Sequence, residues 1–308
     1  MTRWWVRALV SAAVAAVLLT FIPIGEVWAS MRQVRPWVWL AAVGVFVTGH
    51  AANAMKLRLF IGPRAVPAGP CLQAHFAGLA ANLGLPGVAG GDFVRAAYLV
   101  PAAGATRVAV GSVADRVLDT VVLGVVVAVA LPLAGLPPAL AGLVWSGGWW
   151  LAVGLAGAAA LGVVAWRLVD RSGRLPQLRQ AGADLGARPG AVALAFLISL
   201  SVQSAFVLTN VWLAREVGVA TAIAAWFVAW PGSKLSAILP ISLGGIGVRE
   251  ATLVFLLVPY GAPPDGVLAA GILWEGVLIT GGLGGLLVTQ IARRQARSAP
   301  DGSPERSR

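Results

Sequence analysis

The chain has 308 residues, of which 58% are hydrophobic and 11% are charged, with a mean hydropathy of +0.84. A soluble domain carries about 25% charged residues, so this chain has too little polar surface to cover a water-soluble body. These counts and a single cysteine also exclude a disordered chain and a disulfide scaffold. We therefore predict an all-α, polytopic membrane helix bundle, in which a net charge of +11 is no sign of nucleic-acid binding.

Apolar runs in chain order predict six spans, since crossing about 30 Å of hydrocarbon takes roughly 20 residues. The first run, at 8–24, follows Arg3 and Arg7 and is either a span or a cleaved signal peptide. The other runs lie at 37–59, 108–132, 145–166, 190–213 and 266–290.

Two more apolar stretches, at 71–100 and 220–260, are interrupted by prolines and a glycine pair. Broken helices at membrane depth are stable only when they are buried in protein or line a wet cavity. We predict that these stretches form either re-entrant hairpins or pairs of short crossings.

The distribution of positive charge predicts the orientation. With the N-terminus in the cytoplasm, fifteen Lys and Arg residues lie in cytoplasmic segments, Lys56 among them, and three lie outside. Such an excess is typical of cytoplasmic loops. We expect a multi-pass plasma-membrane protein with both termini in the cytoplasm, a membrane domain at 1–290 and a disordered cytoplasmic tail at 291–308.

An internal repeat is the most informative feature of the sequence. Residues 85–97 (LPGVAGGDFVRAA) and 239–251 (LPISLGGIGVREA) share the pattern L-P-x3-G-G-x3-R-x-A at an offset of 154 residues, and the flanking spans keep that offset. This divides the membrane domain into one repeat at about 1–140 and another at about 141–290. The predicted topology inverts the second repeat relative to the first, which is typical of transporters, although some channels share it.

The glycine pairs and the arginines that follow them predict a binding site. A helix that begins at a glycine pair has free backbone N–H groups, and an arginine one turn later would complete a site for an anionic head group. Close helix packing at the glycines is the alternative. The residues predicted to bind the head group are Arg95, Arg249, Lys234, Asn82, Gly90, Gly91, Gly244 and Gly245.

Other charged residues in the apolar segments need partners, because each costs about 2.5–3.5 kcal/mol at the bilayer centre. Glu275 is interpreted either as a proton carrier or as a counter-ion to Arg249. The predicted charge-balancing network consists of Asp92, Asp115, Arg116, Asp119, Glu250 and Glu275.

The sequence offers little support for an enzyme. It has no phosphate-binding loop for ATP hydrolysis, and its two histidines and one cysteine lack metal-ligand spacing. We therefore predict no catalytic residue, no metal and no cofactor. The alternative is a membrane-embedded transferase that uses Asp92 with Asp115 or Asp119.

The segments LPGVAGGDFVRAAYL, SVADRVLD and LPISLGGIGVREATLVFL resemble the signatures of the bacterial lysylphosphatidylglycerol synthase transmembrane-region family, which contains flippase-like integral membrane proteins. The resemblance covers most of residues 5–290. The best-understood members join this module to a soluble aminoacyl-transfer domain, which we do not expect in this chain. The positions that match the family pattern are Asn82, Pro86, Gly91, Asp92, Arg95, Arg116, Asp119, Pro240, Gly244, Gly245, Gly247 and Glu250.

The resemblance implies that the membrane module moves lipid between leaflets. In the family it is credited with moving aminoacylated phosphatidylglycerol, and some members are linked to polyprenyl-phosphate sugars, glycosyltransferases or hopanoids. We therefore expect a translocator of an anionic or aminoacylated phospholipid or of a polyprenyl-phosphate-type lipid. Its partners would be membrane lipids and a separate lipid-modifying enzyme or glycosyltransferase. A lipid-linked transferase, or a non-transporting accessory partner of a glycosyltransferase, is the alternative.

Overall fold

The computed structural model describes residues 29, 32–84, 89–142, 175–236 and 247–298. Within these ranges the secondary structure is helical and no strand occurs, which confirms the all-α prediction. A short 3-10 helix at Val258–Tyr260 precedes the last α-helix. The α-helices are α1 Pro36–Ile61, α2 Ala68–Gly84, α3 Ala89–Ala103, α4 Ala105–Ala134, α5 Leu175–Gly186, α6 Pro189–Glu216, α7 Ile223–Ser236, α8 Val248–Leu257 and α9 Pro264–Ser298.

Four described helices are long and apolar enough to cross a membrane: α1, α4, α6 and the Pro264–Leu287 part of α9. They match four of the predicted spans, whereas the runs at 8–24 and 145–166 lie outside the described residues. Pro36 and Pro189 begin two of these helices, where the N–H that proline lacks is not needed. Gly62, with φ of 114°, ends α1 in a conformation that favours glycine.

Each stretch that was predicted to be broken forms two helices. The first stretch forms α2 and α3, and the second forms α7 and α8. In each case the two helices pack against each other, and we call them the first hairpin and the second hairpin. The motif prolines Pro86 and Pro240 lie outside the described residues.

Helices α1 and α6, which the repeat makes equivalent, run antiparallel. At one end Arg35 Nε donates to Glu216 Oε2 at 2.9 Å, and this bonding to Glu216 raises the pKa of Arg35 above its usual value. At the other end Arg188 Nη1 donates to the carbonyl oxygen of Leu59 at 3.4 Å. We call the first end face A and the second end face B. Antiparallel packing of equivalent spans is the arrangement that an inverted repeat requires.

The other helix contacts also repeat when the helices of one half are replaced by their counterparts in the other half. Helix α4 packs against α7, and its counterpart α9 packs against α2. Likewise α1 packs against α4 and α9, while α6 packs against α9 and α4. For the helices whose counterpart is described, replacing each helix by its counterpart in the other half thus returns the same packed pairs.

Glycines on α9 allow two aromatic rings to approach its backbone. A Cβ atom added at Gly281 would lie 2.4 Å from the Phe46 ring, and one at Gly285 would lie 2.1 Å from the Phe76 ring. Small residues of this kind permit close contact in membrane helix bundles. The two glycines therefore bring α9 against α1 and α2, around the space in which the charged residues lie.

Candidate functional site

A cavity of about 230 Å³ lies between the spans and the two hairpins. Every described α-helix except α5 contributes to its wall. Of the predicted site residues, Gly90 and Glu250 are not part of the described wall, and Gly244 and Gly245 lie outside the described residues. The predicted residues that line the cavity are Arg95, Arg249, Lys234, Asn82, Gly91, Asp92, Asp115, Arg116, Asp119 and Glu275.

Close backbone contact between α2 and α3 positions the charged part of the first hairpin. The Gly91 N–H donates to Asn82 Oδ1 at 2.7 Å. A Cβ atom on Gly91 would lie 2.3 Å from the carbonyl oxygen of Gly78, so only glycine fits at this position. The Gly91 N–H is thus already bonded within the protein, which favours the packing interpretation for this glycine.

Arg95 belongs to a cluster in which two arginines share one carboxylate. Arg95 Nη2 lies 2.9 Å from Asp92 Oδ1, one helical turn away, and Arg116 Nη2 lies 2.7 Å from the same oxygen. Arg95 Nη1 is also 3.8 Å from Asp115 Oδ2. These contacts join α3 to α4 and give Arg95 two carboxylate partners.

Lys56 is a further member of this cluster, and its predicted place in a cytoplasmic segment is wrong. Its side chain is 0% exposed, with Nζ 3.1 Å from Asp115 Oδ1 and 2.5 Å from Asp119 Oδ1. Ser199 Oγ donates to the same Asp119 oxygen at 2.5 Å. Because α1 continues to Ile61, Lys56 lies more than one turn inside the span, where the α4 carboxylates stabilise its charge.

In the second hairpin, hydroxyl groups link the two helices. Thr252 Oγ1 is hydrogen-bonded to Ser236 Oγ at 2.9 Å. Glu250 Oε2 accepts the backbone N–H of Gly247 at 2.7 Å, which satisfies the first turn of α8. This geometry gives Glu250 a capping role at the start of α8.

Arg249 is the cation of a second cluster. Its Nη2 contacts Glu275 Oε1 on α9, and its Nε lies 3.5 Å from Glu250 Oε1. All three side chains are buried. The contact agrees with Glu275 as a counter-ion to Arg249, and here one cation faces two carboxylates.

Lys234 differs from the other cations of the wall. Its Nζ donates to Gln203 Oε1 at 2.9 Å. Within the described part of the chain, Lys234 has no ion pair, whereas Arg95, Arg116 and Arg249 each contact a carboxylate. Among the described residues, Lys234 is therefore the wall cation whose charge is least satisfied.

Sequence reasoning missed the aromatic and imidazole part of the wall. His50 Nδ1 and His75 Nε2 are 3.1 Å apart, in a hydrogen bond that links α1 to α2. The Phe206 ring lies 5.5 Å from that of Trp274, which lies 5.2 Å from the ring of Trp230. Residues 50, 75 and 206 carry no local motif, and only the packing of distant helices brings them together.

The described residues include no group of three or more His, Cys, Asp or Glu side chains that could hold a metal ion. The acidic residues of the cavity instead contact Arg and Lys side chains. Within these ranges, ion pairing therefore accounts for their presence.

Comparison with curated proteins gives no match. Residues 4–283 match the family described as the lysylphosphatidylglycerol synthase TM region. The match covers both halves of the repeat, both hairpins and the cavity between them. This chain therefore belongs to the lysylphosphatidylglycerol synthase TM region family and is a membrane protein.

Proposed function

We propose that this protein translocates a lipid with an anionic head group between the leaflets of the plasma membrane. An anionic phospholipid or a polyprenyl-phosphate-type lipid falls in this class, and an aminoacylated phospholipid, whose amino groups offset the charge of its phosphate, is the other candidate cargo. The observation that carries the proposal is that Arg95 and Arg249, on two separate hairpins, line one cavity together with Lys234. Charged side chains at membrane depth typically mark a substrate pathway.

Lys234 is the residue that we assign to the first contact with the anion. Gln203 holds its ammonium group at the cavity wall, and an anion would supply the carboxylate-like partner that the described residues do not provide. Arg95 and Arg249 already contact carboxylates, so a head group can recruit them only by exchanging partners. Binding of one charge-assisted hydrogen-bond acceptor at Lys234 is therefore the simplest first step.

The rest of the wall suits an amphiphile. Leu79, Leu83 and Leu278 line the same cavity as the charged groups. A lipid with a charged head and hydrocarbon tails could place its head among the ions while its tails stay in the bilayer. This pairing of apolar and ionic surface favours a lipid over a small polar solute.

The two hairpins would give access to the cavity from opposite sides. The loop before α2 follows Leu59, which lies at face B. The second hairpin is followed by Tyr260, whose hydroxyl donates to the carbonyl oxygen of Gly135 at the C-terminal end of α4. We propose that both are re-entrant and that they enter from opposite faces. Alternating exposure of a central site through inverted repeats is a common transport mechanism.

Leaflet exchange in liposomes tests the proposal. Purified protein should accelerate the exchange of fluorescent phosphatidylglycerol, and Lys234→Gln should slow it about tenfold or more, the effect of losing one charged contact. Arg64→Gln, an exposed arginine before α2, is the matched control and should leave the rate unchanged. Exchange no faster than in empty liposomes, across phosphatidylglycerol, aminoacylated phosphatidylglycerol and a polyprenyl phosphate, would contradict translocation.

Single cysteines test the topology. Cys71 is the single cysteine of the sequence, so a Cys71→Ser background contains no thiol. Arg64→Cys and Arg107→Cys flank the first hairpin and should react with an impermeant maleimide from the same side of the membrane. Pro263→Cys, which is exposed just before α9, should react from the other side. Reaction of Arg64→Cys and Arg107→Cys from different sides would show that the first hairpin crosses completely. With both termini in the cytoplasm, the first pair should react from the cytoplasmic side.

The same preparation distinguishes the alternatives. A membrane-embedded transferase would form a product from a lipid donor and lose that activity in Asp92→Asn. Asp92 is already held by Arg95 and Arg116, which disfavours it as a general base. An accessory protein would show neither exchange nor product by itself, but would change the activity of a separate glycosyltransferase or lipid-modifying enzyme.

A further inference from the structure

The Arg249 cluster has more negative than positive charge. Arg249 faces both Glu250 and Glu275, and all three side chains are buried. In contrast, the Arg95 cluster contains three cations, Lys56, Arg95 and Arg116, and three carboxylates, Asp92, Asp115 and Asp119. An uncompensated charge inside a protein is costly, so one carboxylate beside Arg249 is a candidate to carry a proton.

The two carboxylates beside Arg249 are not equivalent. Glu250 accepts a backbone N–H from Gly247 and so caps the positive end of α8. Glu275 lies in the middle of α9 and on the cavity wall. Its hydrogen-bond partner among the described residues is Arg249. Of the two, Glu275 is therefore the one that can change its protonation state in response to a ligand.

Entry of an anion favours this change. The described ion pairs leave the wall close to neutral, and a head group would add negative charge beside Glu275. A proton on Glu275 would remove one negative charge and release the Arg249 guanidinium for the anion. We infer that Glu275 takes up a proton when an anionic head group binds and gives it back to water when the head group leaves. This inference rests on the proposed function and makes the transport proton-coupled.

Other titratable groups share the environment of Glu275. Helix α1 presents His50 and α2 presents His75 to the same cavity, bonded to each other at 3.1 Å. Helix α7 presents Lys234, and α8 presents Arg249 and Glu250. Between residues 189 and 214, α6 has no titratable side chain, and between 266 and 292 α9 has only Glu275. The histidine pair is thus the main competitor for the proton.

Calorimetry of lipid binding tests the inference without transport. Short-chain phosphatidylglycerol is titrated into detergent-purified full-length protein in two buffers of different ionisation enthalpy near neutral pH. The wild type should take up about one proton per bound lipid, and its affinity should fall about tenfold per pH unit on the alkaline side. Glu275→Gln should bind the lipid with no proton uptake and no such slope.

Matched variants isolate Glu275. Glu216→Gln, at the membrane edge beside Arg35, lies far from this cluster and should keep the proton uptake. His50→Asn should keep it as well. Uptake that persists in Glu275→Gln, uptake that disappears in His50→Asn, or a wild type that binds with no uptake would each overturn the inference.

The outcome is separable from that of the proposed function. Leaflet exchange by a wild type that binds without proton uptake would leave the proposed translocation standing and refute the coupling. Absence of both exchange and binding would refute both.

Discussion

The first and second hairpins have the same plan but different charge pairing. Gly78 and Gly232 are 154 residues apart, and each lies where a second helix comes close. Asn82 and Ser236 are equivalent too, and each bonds to the second helix of its own hairpin. Arg95 contacts two carboxylates, Asp92 and Asp115, that Arg116 and Lys56 also contact, whereas Arg249 is the one described cation between two glutamates.

The difference shows that the backbone architecture repeats between the two halves, whereas several charged residues of the site do not. Lys56, Lys234 and Glu275 have Asn210, Ala80 and Val121 at the equivalent positions of the other half. The two hairpins are packed alike, but these three charges are each present in one half only, so the charge of the cavity wall is not symmetric. Three sets of substitutions test this comparison.

Loss of Arg249 should have the largest effect on stability. Arg249→Gln leaves two buried glutamates without a cation and should lower the free energy of unfolding by about 3–5 kcal/mol. Arg95→Gln should cost less, about 1–3 kcal/mol, because Asp92 keeps Arg116 and Asp115 keeps Lys56. Unfolding in detergent micelles measures both. The double variant Arg249→Gln/Glu275→Gln should recover much of the loss, and equal costs for the two single variants would refute the comparison.

Gly91 should be the next most sensitive position. An added Cβ would lie 2.3 Å from the carbonyl oxygen of Gly78 and 2.4 Å from Asn82 Oδ1. We therefore expect Gly91→Ala to cost about 1–3 kcal/mol, the usual penalty for overpacking. Gly124→Ala is the control, because no atom lies within 4 Å of the added carbon. The thermal unfolding midpoint of each variant measures this cost. A similar decrease of the midpoint in both variants would contradict the close packing at Gly91.

The side chains that link each hairpin should show the smallest difference. Asn82→Ala removes the acceptor for the Gly91 N–H and should cost about 1 kcal/mol. Ser236→Ala should cost less, since Thr252 Oγ1 keeps its bond to the Val248 carbonyl oxygen at 2.7 Å. Hydrogen exchange of the first turns of α3 and α8 would report the local loosening. A larger increase of exchange in α8 of Ser236→Ala than in α3 of Asn82→Ala would contradict the predicted order.

Much of the fold could be predicted because its signals are local. The four described spans, the two broken stretches and the arginines of the motif follow from apolar length, glycine, proline and the internal repeat. Membrane segments can be predicted well from such signals, because lipid requires backbone hydrogen bonds to be made within each helix. Helix α9 continues to Ser298, so the prediction of a disordered tail is wrong for residues 291–298. The remaining predicted spans, the signal-peptide alternative, the rest of that tail and the positions Gly244 and Gly245 stay predictions.

The sites of ion pairing could not be predicted in the same way. Lys56 sits five residues before the end of α1, close enough to a loop to resemble a cytoplasmic cation. Its burial depends on Asp115 and Asp119, which lie far away in the sequence on α4. Similarly, Lys234 differs from the arginines because none of the described carboxylates contacts it, and no local sequence pattern predicts this.

The sequence by itself determined that the chain is a helical membrane protein, where its helices break and which charges need compensation. Those properties depend on the hydropathy and backbone preferences of neighbouring residues. Only the tertiary structure decided which charges pair, that Lys234 has no ion pair among the described residues, and that Arg95 and Arg249 line one cavity. Ion pairing acts over a few ångströms in space, so it depends on how distant helices pack and not on their order along the chain.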